Sequence, residues 1–133
     1  MKRKGSFEGR SGGRGRGKRR RRVLQFLQPC LLFLLHEGDA HGYALTTNLG
    51  RFGFDPERLD PTLVYRALRE METAGWVDSH WDDDSQGPRR RVYSLVHEGK
   101  QQLALWVEDL RQTREEIDRL LKAYMADDDE RNT

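Results

Sequence analysis

A mainly α-helical chain with one small β-hairpin is the fold class the sequence predicts, on three observations. Residues 23–35 form an apolar stretch with no strict alternation, closed by a glycine-containing turn. Alternating segments occur as a single pair, residues 76–82 and 90–95, flanking a polar, turn-rich connection. From Leu103 to Tyr124, apolar residues then recur every three or four positions. At 133 residues and 15.6 kDa, the chain has room for one small domain with an appendage or two, not a large catalytic architecture.

Composition narrows the class further. Hydrophobic and charged residues each make up 35% of the chain, so a core requires tight organisation of the apolar ones. A lone cysteine, Cys30, excludes a disulfide framework and any multi-cysteine zinc module. The longest apolar run, residues 31–35, is far too short to span a bilayer. The basic start carries no apolar h-region and no small-residue cleavage site, so no secretory signal and no membrane partner are expected. The expected address is reducing and cytoplasmic.

The net charge of +2 conceals an asymmetry. Residues 1–22 hold eleven Lys/Arg against Glu8 alone, a local +10, which leaves 13 basic and 21 acidic residues, or −8, in the body. The basic segment suggests a polyanionic partner; the body is not a generally basic surface. Rich in Gly, Arg and Ser, residues 1–22 cannot bury enough apolar area to offset the entropy of ordering and are expected to be a disordered tail. Such a tail binds phosphates with release of counterions, or serves only as a solvated arm.

From Val23 the composition changes abruptly. Val23, Leu24, Phe26, Leu27 and the run from Leu31 to Leu35 predict a helix apolar on nearly every side, either central or shared with a partner chain. Pro29 suits the first turn of that helix and Gly38 a left-handed C-cap. A second helix is expected over about residues 41–51, with Tyr43, Ala44, Leu45 and Leu49, and Gly53 and Pro56 break it. Asp60-Pro61-Thr62-Leu63 is a strong third start: an Asp cap, Pro at the first helical position, then apolar residues. Leu63, Val64, Ala67, Leu68 and Met71 face inward on this helix, and Gly75 ends it.

Its other face carries the chemistry. Thr62, Tyr65, Arg66 and Arg69 fall at i, i+3, i+4 and i+7, on one surface. A hydroxyl, a phenol and two guanidiniums are groups that bind phosphates and reach base edges in the major groove, although an ordinary solvated helix face has the same pattern. In the hairpin, Val77, Ser79 and Trp81 alternate with polar neighbours, as do Arg91, Tyr93 and Leu95. Its connection ends in Arg89, Arg90 and Arg91, a cluster of positive charge. Two helices, a capped helix with a basic outer face and a hairpin with a basic arm, in that order, predict a winged helix-turn-helix.

The last element is a long helix over about residues 97–125. Leu103, Trp106, Leu110, Thr113, Ile117, Leu120 and Tyr124 are spaced alternately by three and four, a coiled-coil seam. The seam pairs with a second subunit or packs back on its own domain, the first being expected because the domain is so small. The organisation is then a tail over 1–22, a winged helix-turn-helix over 23–96, a C-terminal dimerisation helix over 97–126 and an acidic tail over 127–133.

Several of these segments together resemble the PadR family of bacterial transcriptional regulators. They are His41-Gly42-Tyr43-Ala44-Leu45, Pro61-Thr62-Leu63-Val64-Tyr65-Arg66-Ala67-Leu68, Gly75-Trp76-Val77, Pro88-Arg89-Arg90-Arg91-Val92-Tyr93-Ser94-Leu95 and Glu98-Gly99. The resemblance runs in order from about Gln28 to Met125. It implies a cytoplasmic homodimer built from a winged helix-turn-helix and a C-terminal dimerisation helix. It also implies a repressor of genes, released by small molecules such as phenolic acids or hydrophobic drugs. By resemblance Tyr43, Thr62, Tyr65 and Arg66 contact a palindromic operator in double-stranded DNA, with Arg69 next along the helix and Arg89, Arg90 and Arg91 on the wing. Three departures stand out. Pro61 replaces a small residue, commonly Gly; Asp82, Asp83 and Asp84 place acids beside the wing, where they repel phosphate unless they point away or pair with the arginines; and the Gly/Arg tail lies outside the family core.

Competing chemistries have less support. The sequence holds no Gly-rich phosphate loop, no Gly-x-Ser-x-Gly and no His-Glu-x-x-His, so no enzyme and no cofactor are expected. A metal-responsive regulator would draw on Cys30, His36, His41, His80 and His97, but no pair of these has ligand spacing on one face. Cys30 reads more simply as a small hydrophobe in an apolar helix. Trp106 and Tyr124 could stack a small aromatic effector, or simply fill the dimer interface. A third class is an architectural or RNA-binding protein led by the basic tail, which predicts poor sequence discrimination.

Overall fold

The computed structural model describes the backbone of residues 15–83 and 87–132, and side chains from Phe26 onward. The order is α1 (Gly15–Glu37), β1 (Ala40–His41), α2 (Gly42–Asn48), a 3-10 turn (Leu49–Phe52), α3 (Pro61–Thr73), β2 (Val77–Asp82), β3 (Arg90–Leu95) and α4 (His97–Asn132). This is the winged helix-turn-helix with a long C-terminal helix that the sequence predicts. Among the described residues no helix is long and apolar enough to cross a membrane.

The core forms around α1. Leu31 and Leu32 are fully inaccessible, and Leu27, Cys30, Leu34 and Leu35 nearly so. They meet Leu45 of α2, Leu49 of the turn, Val64, Leu68 and Met71 of α3, Val77 and Tyr93 of the sheet, and Leu103 of α4 in one cluster. Each fully buried Leu or Met side chain is worth about 1.5–3 kcal/mol relative to exposure, so the middle of α1 is the largest single contribution to cohesion. Pro29 lies inside α1 rather than in its first turn. A proline there removes one backbone bond and costs about 3 kcal/mol. Burial of the leucines that follow it offsets that cost and carries the helix through.

The boundaries of α1 also differ from those read in the composition. Its backbone begins at Gly15, so residues 15–22 of the basic segment are helical; Lys and Arg are good helix formers and propagate a helix already nucleated by packing. Residues 1–14 lie outside the described residues. At the other end Gly38 is not left-handed: the positive φ values among the described glycines are at Gly53, Gly75 and Gly87. The Gly38 N–H closes on the Leu35 carbonyl at 3.1 Å and the chain enters β1 at Ala40, leaving no left-handed turn to make. Arg51 ties the end of α1 to the 3-10 turn, holding the Glu37 carboxylate at 2.7 and 3.1 Å and keeping its pKa below the ordinary value.

β1 is too short to show alternation and was not foreseen. Ala40 pairs with Tyr93 and His41 with Val92, making a three-stranded antiparallel sheet in the order β1-β3-β2. Across the hairpin, Val77 faces Leu95, Ser79 faces Tyr93 and Trp81 faces Arg91. The sheet therefore turns Val77, Ser79, Trp81, Arg91, Tyr93 and Leu95 to one side.

α4 continues through the acidic end to Asn132, past the expected stop near Met125. Arg131 pairs with Asp127 one turn back, which favours the helix there. α4 is seated on the domain at Gly99: a methyl group built there would overlap the Trp76 carbonyl oxygen and come within 2.7 Å of Leu95 Cδ1. The chain has no room for a side chain at this point. Gly99→Ala is expected to lower stability by ~1–3 kcal/mol, an overpacking cost, read as a lower urea midpoint at fixed protein concentration. Gly38→Ala, with nothing within 4 Å of the added carbon, should leave the midpoint unchanged or slightly raised.

Candidate nucleic-acid interface

α3 is held at both ends by its own sequence. Asp60 Oδ1 accepts from the Thr62 N–H at 3.0 Å, with Pro61 at the first helical position. At the far end Gly75 adopts φ 86°, its N–H bonding the Glu72 carbonyl while the Trp76 N–H reaches the Met71 carbonyl at 2.9 Å. This paired closure is the Schellman motif. With Val64, Ala67, Leu68 and Met71 buried, rotation of α3 about its axis is fixed. Thr62, Tyr65, Arg66 and Arg69 are consequently exposed on the outer face.

Tyr65 lies across the start of α2. A carbon built on Gly42 would sit 2.7 Å from both its Cζ and its Oη, so the ring occupies the space a side chain would need. The neighbouring Tyr43 is 76% exposed, and Tyr65 itself 39%. Tyr43 is thus an exposed residue next to the point where α2 meets α3.

The wing arginines do not act as one cluster. Strand alternation sends Arg90 to one side of the hairpin and Arg89 and Arg91 to the other. Arg89 and Arg91 both lie over the indole of Trp81, with guanidinium carbons 5.3 and 4.7 Å from the ring centroid. Arg89 also pairs with Asp83 at 3.0 Å. Arg91 is half-buried; its Nε donates to Ser79 Oγ at 2.9 Å, and Ser79 Oγ donates to Glu72 Oε2 of α3 at 2.8 Å. Asp82 meets His41 Nε2 at 3.2 Å. Two of the three acids beside the wing therefore have basic partners; Asp84 lies outside the described residues.

Tyr93 marks where the wing and α3 converge. Burial pushes its phenol above the ordinary value; Arg91 opposes the shift, Glu72 and Tyr65 reinforce it, and Arg69 opposes it. Groups from α3 and the hairpin thus share one electrostatic neighbourhood.

The long seam divides in two. Leu103 belongs to the core of its own chain, and Trp106 stacks edge-on against Trp76 with centroids 5.1 Å apart. From Leu110 outward the stripe is exposed except at half-buried Thr113, reaching 52% at Ile117, 68% at Leu120 and 62% at Tyr124. The seam spacing held no signal for this division, because the same three-and-four pattern serves an intrachain and an interchain contact. Trp106 and Tyr124 lie roughly 27 Å apart along the helix, so one flat ligand cannot touch both in one chain.

The soft ligands are dispersed. His36 lies beside Phe33 and His41 beside Asp82, while His80 and His97 are exposed. Among the described residues no three His, Cys, Asp or Glu side chains gather to hold a metal. Sequence reasoning missed the Glu72–Ser79–Arg91 chain and the Trp81 stack. Both depend on β2–β3 register against α3, for which a single sequence has no local signal beyond the alternation itself.

A capped helix with a polar outer face, a short helix beneath it and an arginine-bearing hairpin define a winged helix-turn-helix regulator. Residues 31–105 match the transcriptional regulator PadR-like family, and the chain belongs to that family, whose members are transcription regulators and not enzymes. A PadR family transcription regulator from Clostridium difficile R20291 is 26% identical, with a TM-score of 0.62 over 72% of this chain and 98% of that one. A PadR-like transcriptional regulator from Bacillus cereus is 23% identical, with a TM-score of 0.66 over 76% and 96%. Bacillus subtilis PadR, solved in complex with operator DNA, is 21% identical, with a TM-score of 0.53 over 61% of this chain and 46% of that one. The last two likenesses are of fold.

Cys30 provides a direct check on the core. Burial pushes its thiol up to about 12 from 9.0, so the native state keeps the proton that the thiol must lose to become a reactive thiolate. Native protein at pH 8 should be unreactive toward a disulfide-exchange reagent and yield its thiol in denaturant. Because the folded value is the higher, this group's contribution to stability is complete below pH 9.0 and falls away as pH rises toward 12.

Proposed function

We propose that the chain is a homodimeric, sequence-specific DNA-binding repressor that works in the cytoplasm. The observation that carries this reading is the outer face of α3, where Thr62, Tyr65, Arg66 and Arg69 stand exposed on a helix whose rotation the core has fixed. Tyr65 and Arg66 reach base edges in the major groove, Thr62, Tyr43 and Arg69 position the backbone, and Arg89 and Arg90 meet flanking phosphates. Residues 1–22, at +10, add salt-sensitive affinity with little sequence preference.

Dimerisation is supported by the exposed stripe of Leu110, Ile117, Leu120 and Tyr124 on α4. An apolar row of that length in water is covered most simply by its own copy, which also matches a palindromic operator. Release by a small aromatic effector has the narrowest support. Trp106 is taken by Trp76, which leaves Tyr124 as the open one of these two aromatics.

Arg66→Ala is expected to cost ~1–3 kcal/mol on the preferred duplex and to relax preference at one base. Arg90→Ala should weaken all duplexes alike and reduce the log–log salt slope by ~0.9. A chain that bound random and selected duplexes equally would instead be an architectural or RNA-binding protein. For assembly, sedimentation at micromolar concentration should give a dimer, and Ile117→Asp with Leu120→Asp a folded monomer. A stable monomer of the unmutated chain would remove the dimer.

A further inference from the structure

We propose that Glu72, Ser79 and Arg91 form a strut that fixes the wing against α3, making Arg91 a positioning residue and not a phosphate contact. The inference rests on the DNA-binding reading above and sharpens it.

The geometry of the strut is specific. Ser79 has one proton, and its hydroxyl donates it to Glu72 Oε2 at 2.8 Å while accepting from Arg91 Nε at 2.9 Å. A neutral hydroxyl thus links a carboxylate on the recognition helix to a guanidinium on the wing. Both bonds are charge-assisted, and both lie in half-buried surroundings where solvent screens them less than at an open surface. The face of the Arg91 guanidinium is also taken, 4.7 Å above the Trp81 ring, so the side chain is held by its edge and its plane at once.

The other two wing arginines differ. Arg90 is exposed on the far side of the hairpin, and Arg89, although it shares the Trp81 ring and pairs with Asp83, keeps 61% of its side chain exposed and has no bond to α3 among those described. They carry the charge available to phosphate, while Arg91 carries the wing. Glu72 lies one helical turn beyond Arg69 on α3, so the strut ties the wing to the very helix that presents Tyr65 and Arg66. A fixed distance between the two reading elements lowers the ordering cost of engaging both at once, and that gain exists only on a duplex that fits both.

The test uses the full chain and the duplex that the unmutated protein selects from a random-sequence library, with an unselected duplex of equal length beside it. Ser79→Ala removes both bonds and no charge. It should lower affinity for the selected duplex about tenfold, leave the unselected duplex unaffected and keep the salt slope. Arg91→Lys keeps the charge but not the edge-and-plane geometry, and should behave like Ser79→Ala. Arg91→Lys with the affinity of the unmutated chain would make Arg91 a simple charge on phosphate and overturn the strut, as would a folded Ser79→Ala with unchanged affinity. If Ser79→Ala fails to fold, Arg91→Lys decides alone. Tyr65→Ala and Arg66→Ala run in parallel separate the two claims. Their loss of selective binding while the strut variants bind normally removes the strut only; normal binding by all four removes the DNA-reading face as well, and the strut with it.

Discussion

Burial of the middle of α1 is the constraint on which the rest of the structure depends. Leu31 and Leu32 leave no surface to water, and α2, the 3-10 turn, α3, β3 and α4 all pack against that helix. A helix apolar on so many sides cannot lie at an edge, so every other element is arranged around it. α3 then has one way to sit: Val64, Leu68 and Met71 enter the cluster, and the arginines and Tyr65 are left outside. Its polar outer face follows from the demands of the inner one.

Electrostatics refine what packing has placed. The body is acidic overall, yet two of the three acids beside the wing have basic partners: Asp83 with Arg89 and Asp82 with His41. The first is exposed and the second part-buried, and an exposed pair contributes little to stability. Their effect is local, trimming the negative potential beside the surface proposed to meet phosphate. Trp81 organises the same surface, the negative face of its ring attracting two guanidiniums. The wing is therefore an organised group of side chains in which each arginine has a different environment.

Legibility in the sequence tracked how local the deciding interaction was. The α3 cap is written in four consecutive residues, and Asp60 and Pro61 perform as read. β3 was legible because Arg91, Tyr93 and Leu95 recur at every second position, and Tyr93 among them is buried. β1 was not, since two residues carry no period and exist as a strand only because Tyr93 and Val92 lie opposite. Pro29 and Gly38 mislead for a related reason. Both have strong local preferences, and tertiary packing overrides one while the path into β1 removes the need for the other. Of the candidate interface, the α3 face was visible from helical spacing alone. The separate environments of Arg89, Arg90 and Arg91 depend on pairings with Asp83, Ser79 and Trp81 that only the folded hairpin creates.

α4 unites two demands that a periodic sequence cannot separate. Its first turns belong to the domain: Gly99 seats against Trp76, Leu103 enters the core and Trp106 covers Trp76. Beyond them the helix runs outward, its polar lanes stabilised by Arg111 with Glu108 and Glu115 and by Lys122 with Asp118. At 36 residues it is roughly 54 Å long, and α1 packs against it, so the outer helix is a long lever rooted in the domain. In the proposed dimer the distance between the two α3 faces is then set where the exposed stripes meet, far from the DNA. A small change in the crossing angle of two such levers is magnified at the domains. Any agent that acts between Leu110 and Tyr124 would thereby act on half-site spacing without touching α3.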